Sequence, residues 1–282
     1  MPLPPPSALL VALACALPLV SAYAFDSDWA LRNIHLAGAS YCDPQSILDW
    51  DSKQAVDDIV PFAVWTNSSL QFYTAYDAQI DAVVVSVRGS EDVSNWVDNL
   101  EAWCNHPYDA DKDICIMHGF REEYTEMRDA LTAYTRLTAD EHKTSRVLLV
   151  GHSSGAANMV QFAYDIANQY LDDITDLSVL ALFTYGCPRV GDAKFAASFA
   201  DSGVEHTRVT HYHDLVPHVP MDIIGYHHTA QEVWFNEDST SFKICDGTGE
   251  DDSCSNSCSP LSCNSIDDHM QYLQVDVGIA GC

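Results

Sequence analysis

The chain has 282 residues, enough to bury one large α/β core without subdivision. Its 41 acidic residues against 13 basic ones give a formal net charge of -28, which excludes a polyanionic partner such as nucleic acid and describes a heavily solvated acidic surface. Ten cysteines are too many for an ordinary cytosolic enzyme and point to disulfides in an oxidising compartment.

The first 24 residues hold no Asp, Glu, Lys or Arg, carry an apolar run from Ala8 to Val20 and end in Ala22-Tyr-Ala24. They read as a secretory signal peptide cut before Phe25, its run too short to span a bilayer, with residues 25–282 as one domain. The absence of a basic residue ahead of the run leaves an uncleaved anchor as the alternative. No other segment reads as transmembrane. Residues 26–50 are expected to be largely helical, with a helix ending near Cys42. Asn67-Ser68-Ser69 is a glycosylation sequon, given a eukaryotic secretory route. Residues 70–87 read as a β-hairpin whose second strand is Ala82-Val-Val-Val-Ser-Val87. The segment after it, Glu91, Asp92, Val93, Ser94, Asn95, Trp96 and Val97, places Val93, Trp96, Val97 and Leu100 on one helical face and acidic or amide side chains on another. It is expected to be an amphipathic lid able to show its apolar face to a lipid surface; an ordinary surface helix is the alternative.

Phe120, Tyr124, Met127, Leu131 and Tyr134 recur on one face of a long helix, as core residues do. Strand patterns follow at 146–150, 179–185, 206–212 and 232–235, with helical segments between several of them. The alternation predicts an α/β fold, a mostly parallel central sheet with helices on both faces. Cys245, Cys254, Cys258 and Cys263 crowd a Ser/Asp/Gly-rich loop, readable as disulfides or, less naturally in an oxidising compartment, as a zinc site. Cys187, ending an apolar strand pattern, is expected to be a buried free thiol.

The chemistry centres on Arg146-Val-Leu-Leu-Val150 running directly into Gly151-His-Ser-Ser-Gly155, with a helical pattern opening behind it. A strand before G-x-S-x-G and a helix after it predict a strained elbow that presents Ser153 as a nucleophile. A serine hydroxyl needs a histidine to take its proton and a carboxylate to hold the resulting imidazolium. Asp214 follows a strand pattern beyond the elbow, where the acid is expected. His227, His228 and His269 are the candidate bases; His269 is favoured because a loop past the last strand can reach back to the serine. The oxyanion donors are expected at the amides of Ser154, directly after the nucleophile, and Ser90, in the loop after Val87.

These residues resemble the fungal-type class 3 lipases of the α/β-hydrolase fold. The resemblance is carried, in order, by Ala39-Ser-Tyr-Cys42, Val87-Arg-Gly-Ser90 with Asn95-Trp96, His118-Gly-Phe120, Val150-Gly-His-Ser-x-Gly155, Thr184-Tyr-Gly-Cys-Pro-Arg-Val-Gly191, Arg208-Val-Thr-His-x-x-Asp214, Gly225-Tyr-x-His228 and Asp268-His269-x-x-Tyr272. It implies Ser153, Asp214 and His269 as catalytic residues, Ser90 and Ser154 at the oxyanion hole, residues 91–97 as the lid and a structural His228. It also implies pairing of Cys42 with Cys282 and of Cys104 with Cys115; within the 245–263 cluster the pairing expected, apart from the resemblance, is Cys245 with Cys254 and Cys258 with Cys263. Two positions depart from the family: Ser154 stands where leucine is usual, and Ala156 where a third glycine is common, so the acyl pocket wall there is expected to be more polar. The expectation is a secreted, monomeric carboxylic ester hydrolase without metal or cofactor, a triacylglycerol lipase acting through an acyl-enzyme at a lipid–water interface. A feruloyl-type or other soluble-ester esterase is the alternative, and a catalytically silent binding protein is the reading from another class.

Overall fold

The computed structural model describes Met1 and residues 25–108, 113–229, 231–258 and 262–282. The expected signal peptide, apart from Met1, lies outside the described residues. The chain opens with helices α1 (Ser27–Ala39) and α2 (Pro44–Asp49), both capped by aspartates, Asp26 and Asp43, whose side chains accept first-turn amides. Strands β1 (Ile59–Thr66), β2 (Gln71–Asp77) and β3 (Ala82–Val87) form an antiparallel meander. Short helix α3 (Val93–Asp98) and strands β4 (Cys104–Asn105) and β5 (Ile116–Met117) lead to the long helix α4 (His118–His142). There follow β6 (Arg146–His152), α5 (Ser154–Ala167), β7 (Ser178–Tyr185), β8 (Gly191–Asp192), α6 (Ala193–Asp201) and β9 (His206–His211). The chain closes with β10 (Tyr226–His227), β11 (Glu232–Phe235), β12 (Phe242–Ile244), α7 (Ile266–His269), β13 (Gln271–Tyr272) and β14 (Val275–Asp276).

Eight strands build the central sheet in the order β1-β2-β3-β6-β7-β9-β11-β12. Neighbours from β3 to β11 pair in parallel, and antiparallel strands close both edges. The parallel strands read as unbroken apolar runs because both faces are covered: Val83 and Val85 join a cluster with α4, α5 and α6, whereas Ala82 and Val84 face a second cluster with α1. Phe120, Tyr124, Met127 and Leu131 of α4 are all buried in the first cluster, each contributing roughly 1.5–3 kcal/mol by leaving water. Tyr134, the last of that stripe, is only partly buried, edge-on to Phe72 at 5.7 Å.

The predicted strands at 146–150, 179–185, 206–212 and 232–235 are present within one or two residues of those bounds. Two edge strands carried too little signal. β1 contains Pro61, which interrupts the pattern and sits where the register to β2 shifts, and β12 is three exposed residues. The lid segment also differs in detail: Glu91 and Asp92 precede the helix, and the Asp92 side chain accepts the Asn95 amide at 3.0 Å as its N-cap. All four expected disulfides are formed, Cys42–Cys282, Cys104–Cys115, Cys245–Cys254 and Cys258–Cys263, and Cys187 is a buried free thiol. The pairing of Cys245, Cys254, Cys258 and Cys263 leaves no thiolates for the zinc reading of that loop. Among the described residues no helix is long and apolar enough to cross a membrane.

Candidate active site

Ser153 sits between β6 and α5 with φ 60° and ψ -136°, a left-handed conformation that a serine adopts only under constraint. Its amide donates to the Tyr185 carbonyl at 3.0 Å, anchoring the elbow to β7. The flanking glycines act through space rather than through their own torsions. A Cβ at Gly155 would stand 2.1 Å from the Val87 carbonyl oxygen, and one at Gly151 would stand 2.7 Å from the Ala156 Cα. Their bareness lets α5 press against β3 and β6 so closely that the turn must fall on Ser153.

Asp214 and His269 come from distant segments that the backbone ties together. Asp214 forms a parallel bridge with Ser265, whose amide donates to the His213 carbonyl at 3.0 Å. The Ser265 side chain caps α7, which ends at His269. His269 Nδ1 lies 3.0 and 2.9 Å from the two Asp214 oxygens. Burial by itself would raise the Asp214 carboxyl, but the His269 ring, the Tyr272 hydroxyl and the Val216 amide outweigh it and hold the group below the ordinary carboxylate range. An ionised Asp214 can only accept, so His269 carries its proton on Nδ1 and presents Nε2 as a base. Tyr272 donates to Asp214 Oδ2, and the Val216 amide donates to Oδ1 at 2.8 Å.

The ring next to the base is fixed as firmly. His152 Nε2 donates to the His269 carbonyl at 2.9 Å, so in the neutral ring Nδ1 accepts, from the Tyr41 hydroxyl at 2.8 Å. Burial, then the neighbouring His269, push His152 down to about 3, which keeps it neutral. The two imidazoles stack with centroids 4.5 Å apart. Ser153 Oγ and His269 Nε2 are both fully buried, and neither has a hydrogen-bond partner among the described residues. These are the two atoms between which a proton would pass, and all the groups behind them are satisfied.

Ser90 and Ser154 are brought together across 64 residues of sequence, their hydroxyls 3.2 Å apart. Ser154 opens α5, where the helix leaves amides without intrahelical acceptors and the dipole favours negative charge. The serine standing in place of the family's leucine thus bonds to the facing loop. A cleft of about 620 Å³ reaches both serines and runs between α3, the turn at Ser68–Leu70 and the start of α4. In the segment of α3 and the two residues before it, Val93 is buried and Trp96 stacks on Phe120 at 5.7 Å, while Glu91, Asp92, Ser94 and Asn95 are exposed and Val97 is partly so. Arg88 ties the start of this segment, 2.5 Å from Glu91 and 2.9 Å from the Ser69 carbonyl.

Class 3 lipases, as a family model, match residues 84–223, which include the elbow, the Ser90 loop and Asp214. The chain belongs to the class 3 lipase family. A lipase of Rhizomucor miehei is 29% identical over 252 residues, covering 86% of this chain and 68% of that protein. The secreted mono- and diacylglycerol lipase 1 of Fusarium solani is 31% identical over 229 residues, covering 79% of this chain and 66% of that protein. The chain therefore spans about two thirds of the length of these two relatives. Lipase II from Rhizopus niveus superimposes with a TM-score of 0.80 at 25% identity, covering 89% of this chain and 96% of that one.

The other candidate bases of this class 3 lipase are placed away from the serine. His228 is buried and donates to the Pro217 carbonyl at 2.7 Å, and His227 lies 3.1 Å from the Thr248 carbonyl. Burial, then Arg208 and Arg189, hold His228 well below its ordinary value, as suits a neutral structural ring. Asn67 shapes the turn between β1 and β2: its Oδ1 accepts the Ser69 and Leu70 amides and its Nδ2 donates to Glu126 at 2.7 Å. Three site residues had no role assigned from sequence. Tyr272, His152 and Tyr41 all stand inside the family-like stretches, but their type and spacing do not disclose that they hydrogen-bond the acid, the base or each other.

Proposed function

We propose that the chain is a secreted serine carboxylic ester hydrolase, a triacylglycerol-type lipase acting as a monomer at a lipid–water interface. The observation that carries this reading is the pair of buried, unpartnered atoms, Ser153 Oγ and His269 Nε2, in front of a fully bonded Asp214. Ser153 Oγ attacks the ester carbonyl while His269 Nε2 takes its proton, and Asp214 holds the imidazolium that forms. The amides of Ser154 and Ser90 bind the developing oxyanion. The imidazolium returns the proton to the leaving alcohol, and water then releases the acid from Ser153 by the same steps. Asp214, Tyr272 and Tyr41 move no proton to substrate; they set the tautomer and orientation of the rings.

Because Ser153 is inaccessible to solvent, substrate entry requires a moving part. The segment from Glu91 to Val97 is the lid in this reading, with Val93 and Trp96 as the face it would offer to lipid. Secretion is supported by the four disulfides, the signal-like first 24 residues and the Fusarium relative named as secreted. Asn67 is the proposed glycan acceptor, checked by an endoglycosidase mobility shift. A second reading, an esterase for dissolved esters, is favoured by the polar lining of the cleft beside the oxyanion serines. Hydrolysis of tributyrin measured across its solubility limit, with Ser153→Ala as control, separates the two. A steep rise once droplets form supports the lipase; saturation on dissolved ester without that rise supports the esterase; no rate above the mutant overturns both.

A further inference from the structure

The cleft that reaches Ser90 and Ser154 has a wall unlike an acyl groove. Six of its lining residues are acidic and one, Arg88, is basic. One of these charges is answered by a permanent cation, since Arg88 pairs with Glu91, while His118 Nε2 lies 3.2 Å from Glu122 and 3.7 Å from Glu101. Glu123 and Glu126, one helical turn apart on α4, have no cationic partner among the described residues. Glu126 accepts the Asn67 amide at 2.7 Å, and Glu123 accepts the Asn158 amide of α5 at 3.1 Å. These neutral donors orient the carboxylates without cancelling their charge. Burial pushes the Glu123 carboxyl up to about 7, with the Asn158 hydrogen bond opposing the shift and the neighbouring Glu126 adding a smaller push. The wall also lies beside the elbow, since Ser90 and Ser154, the neighbour of Ser153, line the same space as Glu122, Glu123 and Glu126.

We propose that the glutamates of the α4 wall, Glu123 and Glu126 with Glu122, make this hydrolase selective for the charge of its ester, admitting neutral and cationic substrates and rejecting anionic ones. An anionic group carried into the cleft meets like charge from several carboxylates at once, Glu123 partly buried and Glu122 and Glu126 exposed. A cationic group supplies the counter-charge that Glu123 and Glu126 lack. The lipid surfaces that fit such a cleft are uncharged or zwitterionic, and a chain of net charge -28 carries little basic surface to hold an anionic one. The inference rests on the ester-hydrolase reading and adds its specificity.

The test uses three dissolved p-nitrophenyl esters of octanoate length, ending in a methyl, a carboxylate or a trimethylammonium group, below any concentration at which they aggregate. At about pH 8.5, where a carboxyl pushed to about 7 is ionised, kcat/KM is expected to fall from cationic to neutral to anionic. At low salt the cationic ester should exceed the anionic one by about tenfold or more. Added sodium chloride compresses that ratio in the unmodified protein, a readout that needs no variant. In Glu123→Gln with Glu126→Gln, whose amides keep the hydrogen-bond acceptors, the ratio shrinks toward one. Equal rates on the three esters, or a ratio unmoved both by salt and by the double variant, overturn the proposal and leave the ester-hydrolase reading standing. No hydrolysis of any of them above Ser153→Ala overturns both.

Discussion

The two sides of the candidate site are built on opposite principles. Behind the serine, Asp214, His269, His152, Tyr41 and Tyr272 form a buried network in which the groups next to the base are hydrogen-bonded and their protonation states follow from one another. In front of it, α3 and the start of α4 enclose a wet cleft whose carboxylates are held by amides, by one histidine and by one arginine. Rigid, satisfied networks suit chemistry, because orientation is set before the substrate arrives and costs nothing at the transition state. A loosely tied, charged rim suits admission, where the surface must move and discriminate.

The contrast is sharpest in mutants of the buried side. Ser153→Ala is expected to lower kcat on a short-chain ester by about 10⁵-fold or more, with the thermal midpoint little changed. Asp214→Asn keeps the shape but cannot hold the Nδ1 tautomer as an ionised acceptor, and kcat should fall by about 10³- to 10⁴-fold. Tyr272→Phe removes one of the groups that hold Asp214 below its ordinary range, so kcat should drop by roughly three- to tenfold and the acid limb of the pH–rate profile should move to higher pH. Stability follows the same sign: a depressed carboxyl stabilises the fold above the unfolded carboxylate range, and that contribution is lost as pH falls through the folded value. The variant should therefore be less stable at neutral pH, with a difference that shrinks on acidification, as urea titrations at several pH values would report.

At the boundary between the two sides, Ser90→Ala removes the hydroxyl that meets Ser154 but leaves the backbone donor, so a loss of roughly tenfold or less in kcat is expected. The smallest effect belongs to the rim. Glu91→Gln breaks an ion pair in which Glu91 itself is half-exposed, and urea unfolding should register less than about 0.5 kcal/mol. A large loss of stability from that change would mean that the α3 segment is as rigidly integrated as the buried side, and the contrast would fail.

Sequence by itself determined the layered α/β architecture, because fully buried parallel strands must read as apolar runs and their helices as periodic stripes: 146–150 and the Phe120 stripe are legible for that reason. It determined the elbow as well, since Gly151 and Gly155 stand where any side chain would strike backbone, and the Cys42–Cys282 and Cys104–Cys115 pairs through the family resemblance; the pairing among Cys245, Cys254, Cys258 and Cys263 was decided by the fold. It did not disclose β1 and β12, which lie at sheet edges where half-exposure and Pro61 erase the periodicity. The tertiary structure alone decided what depends on approach between segments far apart in the chain. The strain falls on Ser153 rather than on its glycines, Tyr272 and His152 join the acid and base, and Ser154 meets Ser90. The carboxylates of α4 line one wall of the cleft that Ser90 and Ser154 also line. A residue's type states what bonds it can make; only the folded path of the chain states which partner is within 3 Å.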